Sequence, residues 1–78
     1  MRYFFDVHNG NQLTPDEVGM ELTGINEARD EAAEALAEMA NAASRDSNPR
    51  DFAIEVRDES GQPVLKAAIS FAVQTVAA

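Results

Sequence analysis

The stretch Ile25–Ser44, INEARDEAAEALAEMANAAS, decides the fold of this chain. At 100° per residue, Ile25, Ala28, Ala32, Leu36, Met39 and Ala43 fall on one stripe at spacings of three or four, while Glu27, Glu31, Glu34 and Glu38 fall opposite. That pattern is an amphipathic helix. Gly24 with Glu27 three residues on provides a capping arrangement, Asn26 competes as a cap, and acids in the first turns suit the positive end of the helix dipole. Further along, Glu27/Glu31, Asp30/Glu34 and Glu34/Glu38 are like-charge pairs that together cost roughly 1 kcal/mol. The alanines offset this through helix propensity. The apolar stripe needs a cover, which in 78 residues must come from the flanking segments.

Upstream, Arg2 to His8 is a strand by composition and alternation, with Tyr3, Phe5 and Val7 on one face and Phe4, Asp6 and His8 on the other. Asn9-Gly10 ends it. A two-residue turn there would set Val7, Phe5 and Tyr3 against Gln12, Thr14 and Asp16. Pairing Val7 with Val18, Phe5 with Met20 and Tyr3 with Leu22 keeps apolar residues together, so the expected connection is a longer loop over Asn9–Asp16 with a second turn at Pro15-Asp16.

Downstream, Ser44–Pro49 has loop composition and its proline stops the helix. Asp51–Arg57 alternates, with Phe52, Ile54 and Val56 on one face and Ala53, Glu55 and Arg57 on the other. A tight hairpin centred on Ser60-Gly61 pairs Val56 with Leu65, Ile54 with Ala67 and Phe52 with Ile69. It also sets Glu55 opposite Lys66, an ion pair worth at most about 1 kcal/mol when exposed, and puts Pro63 where no cross-strand hydrogen bond is lost. The final strand runs from Val64 toward Val73.

The expected architecture is therefore one α+β domain over residues 1–78, a two-layer β-β-α-β-β sandwich with the helix on one face of a four-stranded, mainly antiparallel sheet. The strand orders 2-1-3-4 and 2-1-4-3 both satisfy it. Tyr3, Phe5, Val7, Met20, Leu22, Phe52, Ile54, Val56, Leu65, Ile69 and Phe71 are expected to face the helix. Phe4, Asp6, His8, Glu21, Glu55, Arg57, Lys66 and Ala68 occupy the other face, for which no covering segment remains.

Fourteen acids against six bases give a net charge of −8, which disfavours direct contact with nucleic acid or an anionic membrane surface. Solubility accounts for such acidity. MRYFFDVHNG is neither a signal peptide nor a membrane span, so a cytoplasmic location is expected. There is no cysteine to staple a core that, at this length, buries only about 60% of the unfolded surface. Self-association is the remedy left open.

Asp6 and His8, two apart on a strand, share a face on which a carboxylate and an imidazole can bind a metal or pass a proton. A metal centre needs a third ligand, for which Glu21, Glu55 and Asp16 are the candidates. The bland alternative is a surface histidine. No G-x-S-x-G supports a nucleophile, and Gly10, Gly19, Gly24 and Gly61 stand alone rather than in a phosphate-binding pattern. No cofactor or metal site is assigned on these grounds. Phe4 with Ala53, Ala68 and Ala72 forms an apolar patch suited to a homodimer or protein contact. The candidate interaction face is Phe4, Asp6, His8, Glu55, Arg57, Lys66 and Ala68.

Arg2-Tyr3-Phe4-Phe5-Asp6-Val7-His8-Asn9-Gly10, the Asp16-Glu17-x-Gly19-x-Glu21-Leu22 segment, the Ala/Glu-rich helix and Phe52-x-Ile54-x-Val56-Arg57-Asp58-x-x-Gly61 together resemble a domain-of-unknown-function family of short proteins, found mainly in rhizobia and related alphaproteobacteria. That resemblance implies no catalytic residues. Members often carry Asp at the position of Asn9. A fainter similarity, in the helix pattern from Glu27 to Leu36, runs to HicB-type antitoxins, whose Pro-Asp-Leu-Pro-Gly segment this chain lacks. The function expected first is a non-enzymatic interaction module that self-associates or binds a protein through the open sheet face or an edge strand. An antitoxin-like or decoy binder of a basic protein, and a small enzyme or metal-dependent protein using Asp6 and His8, are the alternatives.

Overall fold

A computed structural model describes residues 1–43 and 50–76; the loop expected over Ser44–Pro49, with the last expected helical residue, lies outside the described residues. The elements are β1 (Arg2–Asn9), β2 (Gln12–Thr14), β3 (Met20–Glu21), α1 (Ile25–Ala43), β4 (Arg50–Arg57) and β5 (Pro63–Phe71). Across the sheet the order is β2-β1-β4-β5, every ladder is antiparallel, and β3 pairs with β1. This is the expected α+β arrangement, with the 2-1-3-4 order realised. The second expected strand, Val18–Leu22, is reduced to β3, while β2 forms inside the segment expected as a loop; both pair with β1.

The helix stripe does what its spacing predicts: Ala28, Ala32, Leu36 and Ala43 are buried against Tyr3, Phe52, Ile54 and Val56. Ile54 and Val56 are fully enclosed, each contributing about 1.5–3 kcal/mol by the usual cost of exposing such side chains. The helix lies over β4 and β5. The inner side of β1 is thus only partly roofed, and Phe5 and Val7 remain half-buried. Met20 and Ile69, both expected in the core, are 42% and 37% exposed because they sit on the two outer strands. Glu27 caps the helix start one residue earlier than expected, accepting from the Thr23 N–H at 2.8 Å and the Thr23 hydroxyl at 2.6 Å rather than reaching Gly24.

The first hairpin overturns the expected register. Its turn is Gly10-Asn11, with Gly10 at φ 61°, and it sets Asn9 against Gln12, His8 against Leu13 and Val7 against Thr14. The long loop over Asn9–Asp16 is absent, and the pairings Val7–Val18, Phe5–Met20 and Tyr3–Leu22 are replaced: Tyr3 faces Met20 and Arg2 faces Glu21. The expectation rested on keeping apolar residues together on a buried face. All three residues of β2 are exposed, so that edge has no such face to preserve.

The second hairpin keeps the expected pairs Val56–Leu65, Ile54–Ala67 and Phe52–Ile69, and sets Glu55 opposite Lys66. No ion pair joins those two among the described residues. The turn is a residue longer than a tight Ser60-Gly61 hairpin: Asp58 N–H donates to the Gln62 carbonyl at 2.9 Å and Gly61 N–H to the Asp58 carbonyl at 3.0 Å. Gly61 takes φ 87°, as a three-residue loop requires. The Asp58 carboxylate selects that loop by accepting from Ser60 N–H, the Ser60 hydroxyl and Gln62 N–H. An irregularity beside Val56 and Arg57 then restores the register, and puts Pro63 opposite Arg57 instead of Asp58.

Candidate functional site

Asp6 and Arg57 are brought together by the β1–β4 ladder, in which Phe4 pairs with Arg57 and Asp6 with Glu55. Neighbours of this kind on one face of adjacent strands lie within reach of a long side chain. Arg57 Nε donates to Asp6 Oδ2 at 2.7 Å and its terminal nitrogen to Asp6 Oδ1 at 3.0 Å, a two-pronged fork. The guanidinium also stacks over Phe4, 5.1 Å from the ring centre. Phe4 is therefore the floor beneath a cation and not a free apolar patch.

A loop expected to be elsewhere closes over this pair. Arg57 donates to the Asp16 carbonyl at 3.0 Å, and Asp16 N–H donates to Asp6 Oδ1 at 2.9 Å. The Asp16 carboxylate in turn accepts from Phe5 N–H on the β1 edge and from Val18 and Gly19 N–H, each at 3.0 Å. It supplies β1 with an acceptor at the gap between β2 and β3. Gly19 is needed for this path: it has φ 76°, and a Cβ there would lie 2.9 Å from Arg2 Cγ and 3.0 Å from the Tyr3 carbonyl oxygen. The outer face is thus covered at one end, contrary to expectation, and Asp6 is only 8% exposed.

The electrostatics follow from these contacts. The Arg57 fork holds Asp6 below the ordinary carboxylate range against the opposing effect of burial, with Asp16 N–H adding to it. Burial pushes the Asp16 carboxyl up, but the three backbone donors outweigh it and the net displacement is downward. Each carboxylate accepts three hydrogen bonds from within the chain. Asp6 shares no hydrogen bond with His8 among the described residues, and no group of three or more His, Cys, Asp or Glu side chains there is placed to hold a metal ion.

The sequence-derived face therefore separates into two parts. Phe4, Asp6 and Arg57 form the knot beneath the Asp16 loop. His8, Glu55, Lys66 and Ala68 border a shallow depression of about 260 Å³ that opens toward β5. Asp16 was legible as a turn residue and as a candidate third ligand beside Asp6 and His8; its role as a plug depends on a contact between distant segments.

Beyond the depression, β5 forms an edge. Gly10 N–H donates to the Asp51 carbonyl at 2.9 Å, so Asp51 turns its backbone groups toward β1. Alternation along β4 then directs Phe52, Ile54 and Val56 toward β5, where Ile69, Ala67 and Leu65 oppose them. Consequently Lys66, Ala68 and Ser70 direct their backbone groups outward. All three are exposed. A charge signal overlooked in the alternation marks the same strand: all 14 acids fall within residues 1–59, and Lys66 is the single charge in residues 60–78.

Residues 2–75 match the model of a family described as a domain of unknown function (DUF6894). No curated protein and no solved structure matches the chain. Among the described residues, no helix is long and apolar enough to cross a membrane.

Proposed function

We propose that this chain, which belongs to the DUF6894 family, is a non-enzymatic protein-interaction module that binds by strand addition along β5. One observation carries this reading: a nine-residue edge strand that turns the backbone groups of Lys66, Ala68 and Ser70 outward and bears no acid, in a chain of net charge −8. Edges of this length usually carry charges, bulges or a covering segment that discourage pairing. Here the irregularity and Pro63 lie at the start of the strand and Lys66 is its single charge, leaving Ala67–Phe71 regular and uncharged. An added strand gains main-chain hydrogen bonds, while the alternate side chains set its identity.

The residues with chemical potential support the same reading. Asp6 is spent on Arg57 and Asp16 N–H, and held well ionised it is a poor proton acceptor near neutral pH. The partner is a protein, because the acidity of the chain opposes phosphate-rich ligands. The test compares wild type with Ala68→Pro, which removes one outward N–H and leaves the β4-facing residues unchanged. In affinity capture from cell extract, protein bound by wild type, further copies of the chain included, should be lost from the variant. Equal capture by both would refute strand addition at β5.

A further inference from the structure

We infer that the strand added to β5 is the β5 of a second copy, paired antiparallel about a two-fold axis through Ala68. The inference rests on the reading of β5 as a strand-addition edge and identifies its occupant. An antiparallel edge is self-complementary: residues that turn their backbone groups outward in one copy meet the same set in the other. Centring on Ala68 brings Ala68 against itself and Lys66 against Ser70, so that all three outward residues exchange hydrogen bonds.

The side chains select this centre. On the inner face it pairs Leu65 with Phe71 and Ala67 with Ile69, joining an edge residue that is 37% exposed in the single chain to an apolar neighbour. On the outer face Lys66 comes beside Ser70 of the second copy, whose hydroxyl donates to Asp51 at 2.8 Å. The ammonium, without an ion-pair partner within its own chain among the described residues, is thereby brought toward a carboxylate. A centre on Lys66 would oppose two ammonium groups. A centre on Ala67 would set Phe71 against Pro63.

The helix provides a second, independent indication. Glu31 and Ala35 line the cleft on the β1 side, together with Phe5, Val7 and Met20. At 100° per residue the opposite flank carries Arg29, Ala40, Ala33, Asn26 and Ala37, with the nearest acid, Asp30, at its outer border. Ala33 and Ala37 are exposed. With α1 lying over β4 and β5, the two-fold brings a pair of antiparallel helices to about 10 Å, a separation at which small side chains pack. The acids remain on the surfaces directed away from the axis. Charge thus excludes most of this molecule's surface from self-contact and spares the β5 side.

The experiment uses the full chain. Sedimentation from about 1 to 100 μM should show a concentration-dependent species of twice the 8.4 kDa chain mass. Ala68→Glu, which opposes two carboxylates at the axis while altering an exposed position, should weaken association by about tenfold or more with an unchanged circular dichroism spectrum. Because the chain has no cysteine, Ala68→Cys should oxidise to a covalent dimer when concentrated, and Ala67→Cys should not. A wild type that stays monomeric, an undiminished Ala68→Glu dimer, or crosslinking at residue 67 instead of 68 would each overturn the inference. A monomeric wild type whose captured protein is still lost from Ala68→Pro would leave strand addition standing and replace only its occupant.

Discussion

The guanidinium of Arg57 grips both carboxylate oxygens of Asp6, at 2.7 and 3.0 Å, across 51 residues of sequence. It joins the first strand to the fourth and positions the loop that covers them. Removing the guanidinium leaves an enclosed carboxylate with one hydrogen-bond donor, from Asp16 N–H. Arg57→Ala should therefore destabilise the fold, by less than the cost for a fully buried pair because the arginine is partly exposed. Arg57→Lys keeps the charge and loses the fork, so it should recover part of that loss. Urea unfolding of the three proteins measures the order.

Asp16 accepts three backbone N–H groups, from Phe5, Val18 and Gly19. Asp16→Ala should cost about 1–3 kcal/mol, the usual penalty for stranding such donors. Hydrogen exchange gives the sharper readout: the Phe5 amide should lose protection, while Ile54 and Val56 in the sheet centre keep theirs relative to global unfolding. Retained protection at Phe5 would show that the plug is dispensable.

Acid should loosen the same knot. Asp6 and Asp16 both have folded-state values below their ordinary ones, Asp6 chiefly through Arg57 and Asp16 through backbone donors working against burial. The unfolded chain then binds more protons, and the stability these groups contribute is fully present above about pH 5. It is lost as pH falls through the depressed values. Melting temperatures of wild type and Asp6→Asn should converge toward low pH and separate above it; a constant difference would argue against the assignment.

Gly19 and Gly10 both occupy the left-handed region, but their surroundings differ. A Cβ at Gly10 meets nothing within 4 Å, whereas at Gly19 it presses on Arg2 and on the Tyr3 carbonyl. Gly10→Ala should cost about 1 kcal/mol from backbone strain alone. Gly19→Ala should cost more, roughly 2–3 kcal/mol, because backbone must move as well. Thermal denaturation of the two variants tests the order.

Periodicity exposed the parts of the fold whose faces are unambiguous. The stripe Ala28–Ala32–Leu36 and the pairs Phe52–Ile69, Ile54–Ala67 and Val56–Leu65 follow from burial of apolar side chains at fixed spacing, and the structure reproduces them. The same logic failed for Val7, Phe5 and Tyr3, because their edge partners are exposed and register there is governed by a turn and a carboxylate. Phe4 illustrates the limit further. Alternation placed it correctly on the outer face, but could not reveal that Arg57 would lie across it.

The sequence by itself determined a helix with one apolar side, strands able to cover it, and an excess of acids ending at Glu59. These are local or additive properties, readable from spacing and charge. Tertiary structure alone decided that Asp6, Asp16 and Arg57 converge, that the first hairpin turns at Gly10-Asn11, and that the acid-free strand becomes an edge. The convergence and the edge depend on segments far apart in the chain meeting in space, and the hairpin on its local turn; in each, hydrogen-bond geometry, and not residue pattern, selects among arrangements of similar apolar burial.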